Sequence, residues 1–234
     1  MKALTVVMPA YNEEGAIRDA VAEVQSAVLD RIDEAVLVVV NDGSRDATGA
    51  ILDELAASDP RVTAVHKDNG GHGPAIITGL EHADSEWVFL VDSDLQMPLD
   101  AVTQLWAAVH DGHEAAFGVR RHRDEPRIRL LLTRMVRATI PLLFGVRILD
   151  ANVPYKLVRR STWEDARAHI PPDTLAPSLF LAVFMKLRGL PIAEIDVEHR
   201  ERTTGVVSIR RWKLIRFCSK AFAQMIDFRR SVRS

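Results

Sequence analysis

A chain of 234 residues with 47% hydrophobic and 26% charged residues has the composition of one large globular domain. Its formal net charge of −2 argues against bulk nucleic-acid binding, and its single cysteine, Cys218, excludes both a disulfide framework and a cysteine zinc cluster and fits a reducing cytoplasm. The N-terminal apolar stretch stops at Pro9, too short for a signal-peptide core, and the later ones fall short of the roughly 20 residues needed to span a bilayer, so any membrane contact is expected to be peripheral, at the cytoplasmic face.

In chain order, the first β-like run is Leu4–Met8, followed by a helical stripe of Ile17, Val21, Val24 and Val28. A second run, Ala35–Val40, precedes a helix carrying Ile51, Leu52 and Leu55. A third, Val62–His66, leads to a glycine-rich loop and a short helix opened by Pro74. A fourth, Trp87–Val91, precedes a helix carrying Val102, Leu105, Trp106 and Val109. The near-continuous Val and Leu content of these runs predicts strands buried on both faces. Their alternation with helices predicts an α/β fold, a mostly parallel sheet covered by helices on both sides. In the second half the pattern predicts a strand at Ala115–Val119, a partly basic helix over Arg129–Phe144, an apolar helix over Leu175–Leu187, and a strand with one wet face over Pro191–Glu198.

Ligands of such sheets bind beyond the carboxyl ends of the strands. The four segments there are Pro9–Glu14, Asn41–Ser44, Asp68–Gly73 and Asp92–Asp94. Two carboxylates two residues apart, Asp92 and Asp94, offer hard oxygen ligands to Mg²⁺ or Mn²⁺ shared with substrate phosphates. A bare Asp-x-Asp is usually a solvated turn. Here four apolar residues precede the pair and Pro98 stands near the start of the next helix, which favours a strand-end site. Asp42 suits either a nucleotide N–H or ribose hydroxyl, or a turn and cap shared with Ser44, Asp46 and Thr48. The loop Asn69-Gly-Gly-His-Gly-Pro74 matches neither the dinucleotide fingerprint nor a Walker A sequence. It either lets the backbone approach a donor closely or is merely a loop. No Ser/His/Asp arrangement and no histidine metal spacing is visible.

Taken together, VVMPAYNEE, VVVNDGS, the glycine loop and VFLVDSDLQMP resemble the family 2 glycosyltransferases of the GT-A fold, a Rossmann-like arrangement. Through Gly118-Val-Arg120, the pair Arg129 and Thr133, and the segment Arg202–Ser208, the second half resembles the polyprenyl-phosphate glycosyltransferases, among them dolichyl-phosphate mannose synthase. The resemblance implies that Pro9, Tyr11, Glu13 and Asp42 hold the nucleoside. It further implies that Asp92, Asp94 and Gln96 bind metal and diphosphate, with Ser93 between them against the nucleotide sugar. Arg120 would meet donor phosphate, and Arg129, Thr133 and Arg202 the acceptor phosphate; Asp92, Asp94 and Arg202 are the residues it implicates in catalysis. Two departures stand out. The cation after Ser208 is Arg210, one place later than in the family's pattern, and Asp150-Ala-Asn-Val-Pro154 replaces the usual Asp-x-x-Ser-Gly.

The expected reaction is inverting transfer of a hexose from a GDP- or UDP-linked sugar to a polyprenyl phosphate. A phosphate oxygen is already anionic and needs no general base, and only Asp150 and Asp173 are at hand to be one. The alternatives are a family 2 transferase acting on a sugar hydroxyl, a nucleotide-sugar-binding protein without catalysis, and nucleotidyl transfer; Pro9–Gly15 lacks the basic residue that the last would need. Residues 1–208 are expected to form the GT-A domain and 209–234 a basic amphipathic helix. From Ser208 to Ser234 eight Arg or Lys stand against one acid, Asp227, while Trp212, Ile215, Phe222 and Ile226 share an apolar face with Cys218 and Met225 beside them. Such a helix lies on an anionic membrane or packs on the domain or on a second copy of the chain, so a homo-oligomer is a further expectation.

Overall fold

The computed structural model of the chain describes residues 2–94, 96–120, 139–150, 153–198 and 211–233, with side chains of the last segment from 220 to 232. In chain order the first half comprises β1 (Leu4–Ala10), α1 (Ile17–Val24, prolonged by a π-helical turn over Gln25–Leu29), β2 (Ala35–Asp42), α2 (Thr48–Ser58), β3 (Val62–Lys67), α3 (His72–Glu81), β4 (Trp87–Leu90) and α4 (Val102–His110). The second half comprises β5 (Ala115–Arg120), β6 (Lys156–Arg159), α5 (Arg160–Arg167), α6 (Pro177–Leu187), β7 (Ile192–Val197) and α7 (Arg211–Arg233). Residues 139–144 are helical, the end of the helix expected over Arg129–Phe144.

Seven strands form one sheet in the order β3-β2-β1-β4-β6-β5-β7. All pairs are parallel except the two made by β6, which runs antiparallel to β4 and to β5. The apolar runs of β1, β2 and β4 are buried on both faces, as continuous Val/Leu content demands. On one face Leu4, Val6, Met8, Leu37 and Phe89 pack against α1 and α4 through Ile17, Val21, Val24, Val102 and Leu105. On the other, Val7, Val88, Leu90 and Phe117 pack against α3, α5, α6 and α7.

Three features depart from the expected pattern. β3, expected to be buried on both faces, is an edge strand with several half-exposed residues; its Val content does not reveal that it has a neighbour on one side only. β6 and α5 are absent from the periodicity because Val-Pro-Tyr-Lys-Leu-Val interrupts an apolar run with a proline and a lysine, and proline is a weak strand residue. The apolar helix starts at Pro177 rather than Leu175, since a proline is well tolerated at a helix's first turn but not inside it. β7 behaves as expected at the far edge, with Glu194 and Asp196 outward.

From residue 220 onwards α7 is part of the packed structure. Phe228 is fully buried, its ring 4.9 Å from that of Phe180 and 5.8 Å from that of Phe144. Lys220 Nζ lies 2.7 Å from Asp173, Gln224 Nε2 donates to the same carboxylate at 3.0 Å, and Ser231 meets His169 at 2.8 Å. The inward residues are Gln224, Met225 and Phe228, while Phe222 of the expected apolar face is exposed. The side chains of Trp212, Ile215 and Cys218 lie outside the described residues.

Candidate active site

Strand order reverses direction at β1 and β4, so the crevice where an α/β sheet takes ligands opens above their carboxyl ends. Pro9 is buried one residue before the end of β1, Tyr11 stands exposed just beyond the strand, and the turn continues through Asn12 in the left-handed region at φ 53°, where asparagine is tolerated. This turn is stitched to the one after β2. The Asn12 amide donates to the Ser44 hydroxyl at 3.0 Å, the Glu13 amide to Thr48 Oγ1 at 2.8 Å, and the Arg45 amide to Asn12 Oδ1 at 2.9 Å. Glu13 thereby sits, half-buried, at the root of α1, and its carbonyl accepts the first helical amides from Ala16 and Ile17.

Asp42 ends β2 with its carboxylate buried. Lys67 Nζ donates to Oδ1 at 2.7 Å, the Gly70 amide to the same oxygen at 2.9 Å, and the Gly71 amide to Oδ2 at 2.7 Å. The two-way reading of Asp42 thus acquires a structural component: the carboxylate organises the glycine loop through charge-assisted bonds. Lys67 was not singled out in the sequence, because nothing local marks a lysine at a strand end as a partner for a residue 25 positions earlier.

The glycines do permit close approach, here to the chain itself. A side chain at Gly43, which has φ +68°, would lie 2.6 Å from the Asn69 amide nitrogen, and a Cβ at Gly73 would lie 1.9 Å from the Thr174 carbonyl oxygen. Gly73→Ala should therefore destabilise the protein by about 1–3 kcal/mol, as overpacking does. Gly15→Ala, whose Cβ would meet nothing within 4 Å, serves as the control. Urea unfolding of the two variants measures the difference.

Asp92, Ser93 and Asp94 follow β4. With Val91, Gln96, Met97, Arg120 and Pro154, the two carboxylates line one pocket; Ser93 is buried beside it. Asp94 Oδ1 accepts the Gln96 amide at 3.2 Å, a turn that folds Gln96 back towards the carboxylates. His72, first residue of α3, places Nε2 2.7 Å from Asp92 Oδ1. Burial works against protonation of His72, but the Asp92 hydrogen bond and the charges of Asp92, Asp94 and Asp42 outweigh it and raise its pKa. Across the pocket Arg120, the last residue of β5, is gripped by buried Asp150 through Nε at 2.9 Å and Nη2 at 3.3 Å. A planar fork fixed in this way is suited to phosphate oxygens.

The pocket therefore gathers Asp92, Asp94, Gln96 and Arg120, while Asp42 with its glycine loop and Tyr11 and Glu13 flank it at neighbouring strand ends. Arg129, Thr133 and Arg202 lie outside the described residues, as do Leu95 and the segment 199–210. Among the described residues no group of three or more His, Cys, Asp or Glu forms a metal centre. Two hard carboxylates fit Mg²⁺ or Mn²⁺ of the kind that completes its shell with substrate phosphate and water. Of the two carboxylates considered as a general base, Asp150 is committed to Arg120. Asp173 is paired with Lys220, which together with Gln224 holds its carboxyl below the usual range against the opposing effect of burial.

Comparison with known proteins bears on this arrangement. The family model described as Glycosyl transferase family 2 matches residues 5–163. The undecaprenyl-phosphate 4-deoxy-4-formamido-L-arabinose transferase of Shewanella sediminis (strain HAW-EB3) is 28% identical over 205 residues, covering 86% of this chain and 60% of that protein. The protein of the same name from Proteus mirabilis (strain HI4320) is 29% identical over 217 residues, covering 91% and 64%. This chain thus spans less than two thirds of the length of these relatives. Among solved structures, glucosyl-3-phosphoglycerate synthase from Mycobacterium tuberculosis, in complex with Mn²⁺, UDP-glucose and phosphoglyceric acid, superposes with a TM-score of 0.70 at 19% identity. The match covers 97% of this chain and 80% of that one, a likeness of fold. With a match that spans the strand-end turns and the Asp92/Asp94 pair, and with the GT-A sheet that carries them, the chain belongs to glycosyl transferase family 2.

Proposed function

We propose that the chain moves a hexose, with inversion, from a nucleotide-diphosphate sugar to a polyprenyl phosphate, and that it requires Mg²⁺ or Mn²⁺. The observation that carries the reading is the convergence of Asp92, Asp94, Gln96 and the Asp150-clamped Arg120 on one pocket at the topological switch point. The nucleoside would lie towards Pro9, Tyr11, Glu13 and Asp42, beyond β1 and β2. Asp92 and Asp94 would hold the cation, whose contribution is to neutralise charge on the departing nucleoside diphosphate. Arg120 would orient the diphosphate from the opposite wall. Arg129, Thr133 and Arg202 would receive the acceptor phosphate.

Two observations support a phosphate acceptor over a sugar hydroxyl. The relatives quoted above are named for undecaprenyl phosphate. Asp150 and Asp173 are each tied to a cation, whereas a hydroxyl acceptor needs a carboxylate within hydrogen-bond reach. No helix among the described residues is long and apolar enough to cross a membrane. In this reading the lipid is met at the cytoplasmic membrane surface, where the basic sequence Arg210–Arg216 favours anionic headgroups, with α7 anchored to the domain by Met225 and Phe228.

The test is a panel of UDP- and GDP-linked sugars incubated with a short polyprenyl phosphate and either cation. A charged glycolipid is the expected product. Exclusive transfer to sugar hydroxyls overturns the acceptor assignment while leaving the family intact.

A further inference from the structure

Asn41 is buried next to the end of β2, in register with His66 of β3. A carboxamide can point two ways, and the Ser44 amide settles which: it donates to Asn41 Oδ1 at 3.0 Å, closing the turn that carries Asp42 and Gly43. The carboxamide nitrogen therefore faces the His66 ring, with Nδ2 3.0 Å from Nδ1. Because Nδ2 can only donate, Nδ1 must offer a lone pair, and the proton of the neutral ring lies on Nε2. From there it is donated to Asp53 Oδ1 of α2 at 2.9 Å. The same helix leaves room for the contact: a Cβ at Gly49 would lie 2.9 Å from Asn41 Nδ2 and 3.7 Å from His66 Cε1.

The bonds continue towards β1. Ser44, held through its amide by Asn41, accepts the Asn12 amide on its hydroxyl at 3.0 Å, and Asn12 Oδ1 accepts the Arg45 amide at 2.9 Å. Asn12 follows directly on the exposed Tyr11, so the placement of Tyr11 depends on this turn. Were the Asn41 carboxamide to turn over, its NH₂ would meet the Ser44 N–H, donor against donor, and the stitch between the two turns would open. Removing the His66 ring would instead leave a buried amide nitrogen without the partner that orients it.

We propose that His66 is a positioning residue for the donor's nucleoside: its Nδ1 lone pair fixes the Asn41 carboxamide and, through Ser44 and Asn12, holds the turn of Tyr11 against the turn of Asp42. Asp53 sets the tautomer that makes this possible. The proposal rests on the reading of those two turns as the nucleoside site. His66 acts on that site from the edge strand through Asn41, as an outer partner that orients the groups in front of it.

The test is calorimetric titration of Mn²⁺-UDP and Mn²⁺-GDP into the parent, His66→Asn, His66→Gln and His66→Ala. His66→Asn keeps an acceptor at the position of Nδ1 and lacks the reach to Asp53. His66→Gln keeps a donor towards Asp53 and lacks the acceptor beside Asn41, and His66→Ala has neither. The preferred nucleotide should bind His66→Ala and His66→Gln about fivefold more weakly than the parent, the effect of one hydrogen bond, and His66→Asn within about twofold of it. In turnover the loss should appear in the KM for the donor and not in kcat. A histidine that serves only the fold would lower Tm and leave the affinity of the folded protein unchanged. Nitrogen-15 NMR of the neutral ring should place the proton on Nε2. If His66→Ala fails to fold, His66→Asn and His66→Gln carry the comparison. A proton on Nδ1, parent-like binding by folded His66→Ala, or His66→Asn binding no better than His66→Gln overturns the proposal. Failure of the parent to bind either nucleotide with Mn²⁺ overturns the reading of the nucleoside site itself.

Discussion

Asp94→Ala is expected to lower glycosyl transfer by about 10²–10³-fold, roughly 3–4 kcal/mol of transition-state stabilisation, with the fold preserved. The side chain is half-buried, four residues beyond β4, so its loss removes no fully buried group. Its carboxylate accepts the Gln96 amide at 3.2 Å, which is a structural duty. Asp94→Asn separates that duty from the charge. Asparagine keeps an oxygen for the turn but is a poor ligand for a hard cation. If the carboxylate serves the cation and the diphosphate, both variants lose activity. If it serves the turn, only the alanine variant does, and an active Asp94→Asn protein refutes the ligand role. Donor hydrolysis and product formation measure the effect, and far-UV circular dichroism checks the fold.

Phe228→Ala should lower stability by about 3–5 kcal/mol, the usual cost of removing a buried aromatic ring. For a chain of this size that is a fall in Tm of roughly 10 °C. Phe228 sits between Phe180 of α6 and Phe144, and Met225 is buried one turn before it. Truncation after residue 208 would remove both and expose the two rings they cover. The truncated chain should therefore be less stable than the full one, not merely shorter. Phe222→Ala, at an exposed position on the same helix, is the control and should leave Tm within about 2 °C. Equal melting of Phe228→Ala and Phe222→Ala would show that α7 contributes nothing to the core. These measurements also bear on lipid: a helix held at its far end by Phe228 can meet a surface only with its outward residues.

The parallel half of the fold was legible because its signals are local. Runs such as Leu37–Val40 and Val88–Val91 declare a buried strand by themselves, and the polar residues that end them fall at the carboxyl edge of the sheet wherever the strands are placed. Asp92, Asp94 and Asp42 were placed at or just beyond strand ends in this way. The motifs also carried the family, since they come in the right order along the chain.

What the sequence by itself determined, then, is the α/β class, the alternation of strands and helices, and the position of the carboxylates at strand ends, all consequences of side-chain period and chain order. Only the tertiary structure decided which groups those carboxylates meet. Arg120 and Asp150 are 30 residues apart, Asp42 and Gly71 are 29, and Asp173 and Gln224 are 51. No periodicity encodes such pairs, because hydrogen bonds and ion pairs depend on distances that exist only once the strands are ordered. The insertion of β6 between β4 and β5 is the clearest case. A short strand that follows a proline and opens on a lysine reads as weak, yet antiparallel pairing on both sides secures it and buries Lys156 within the sheet.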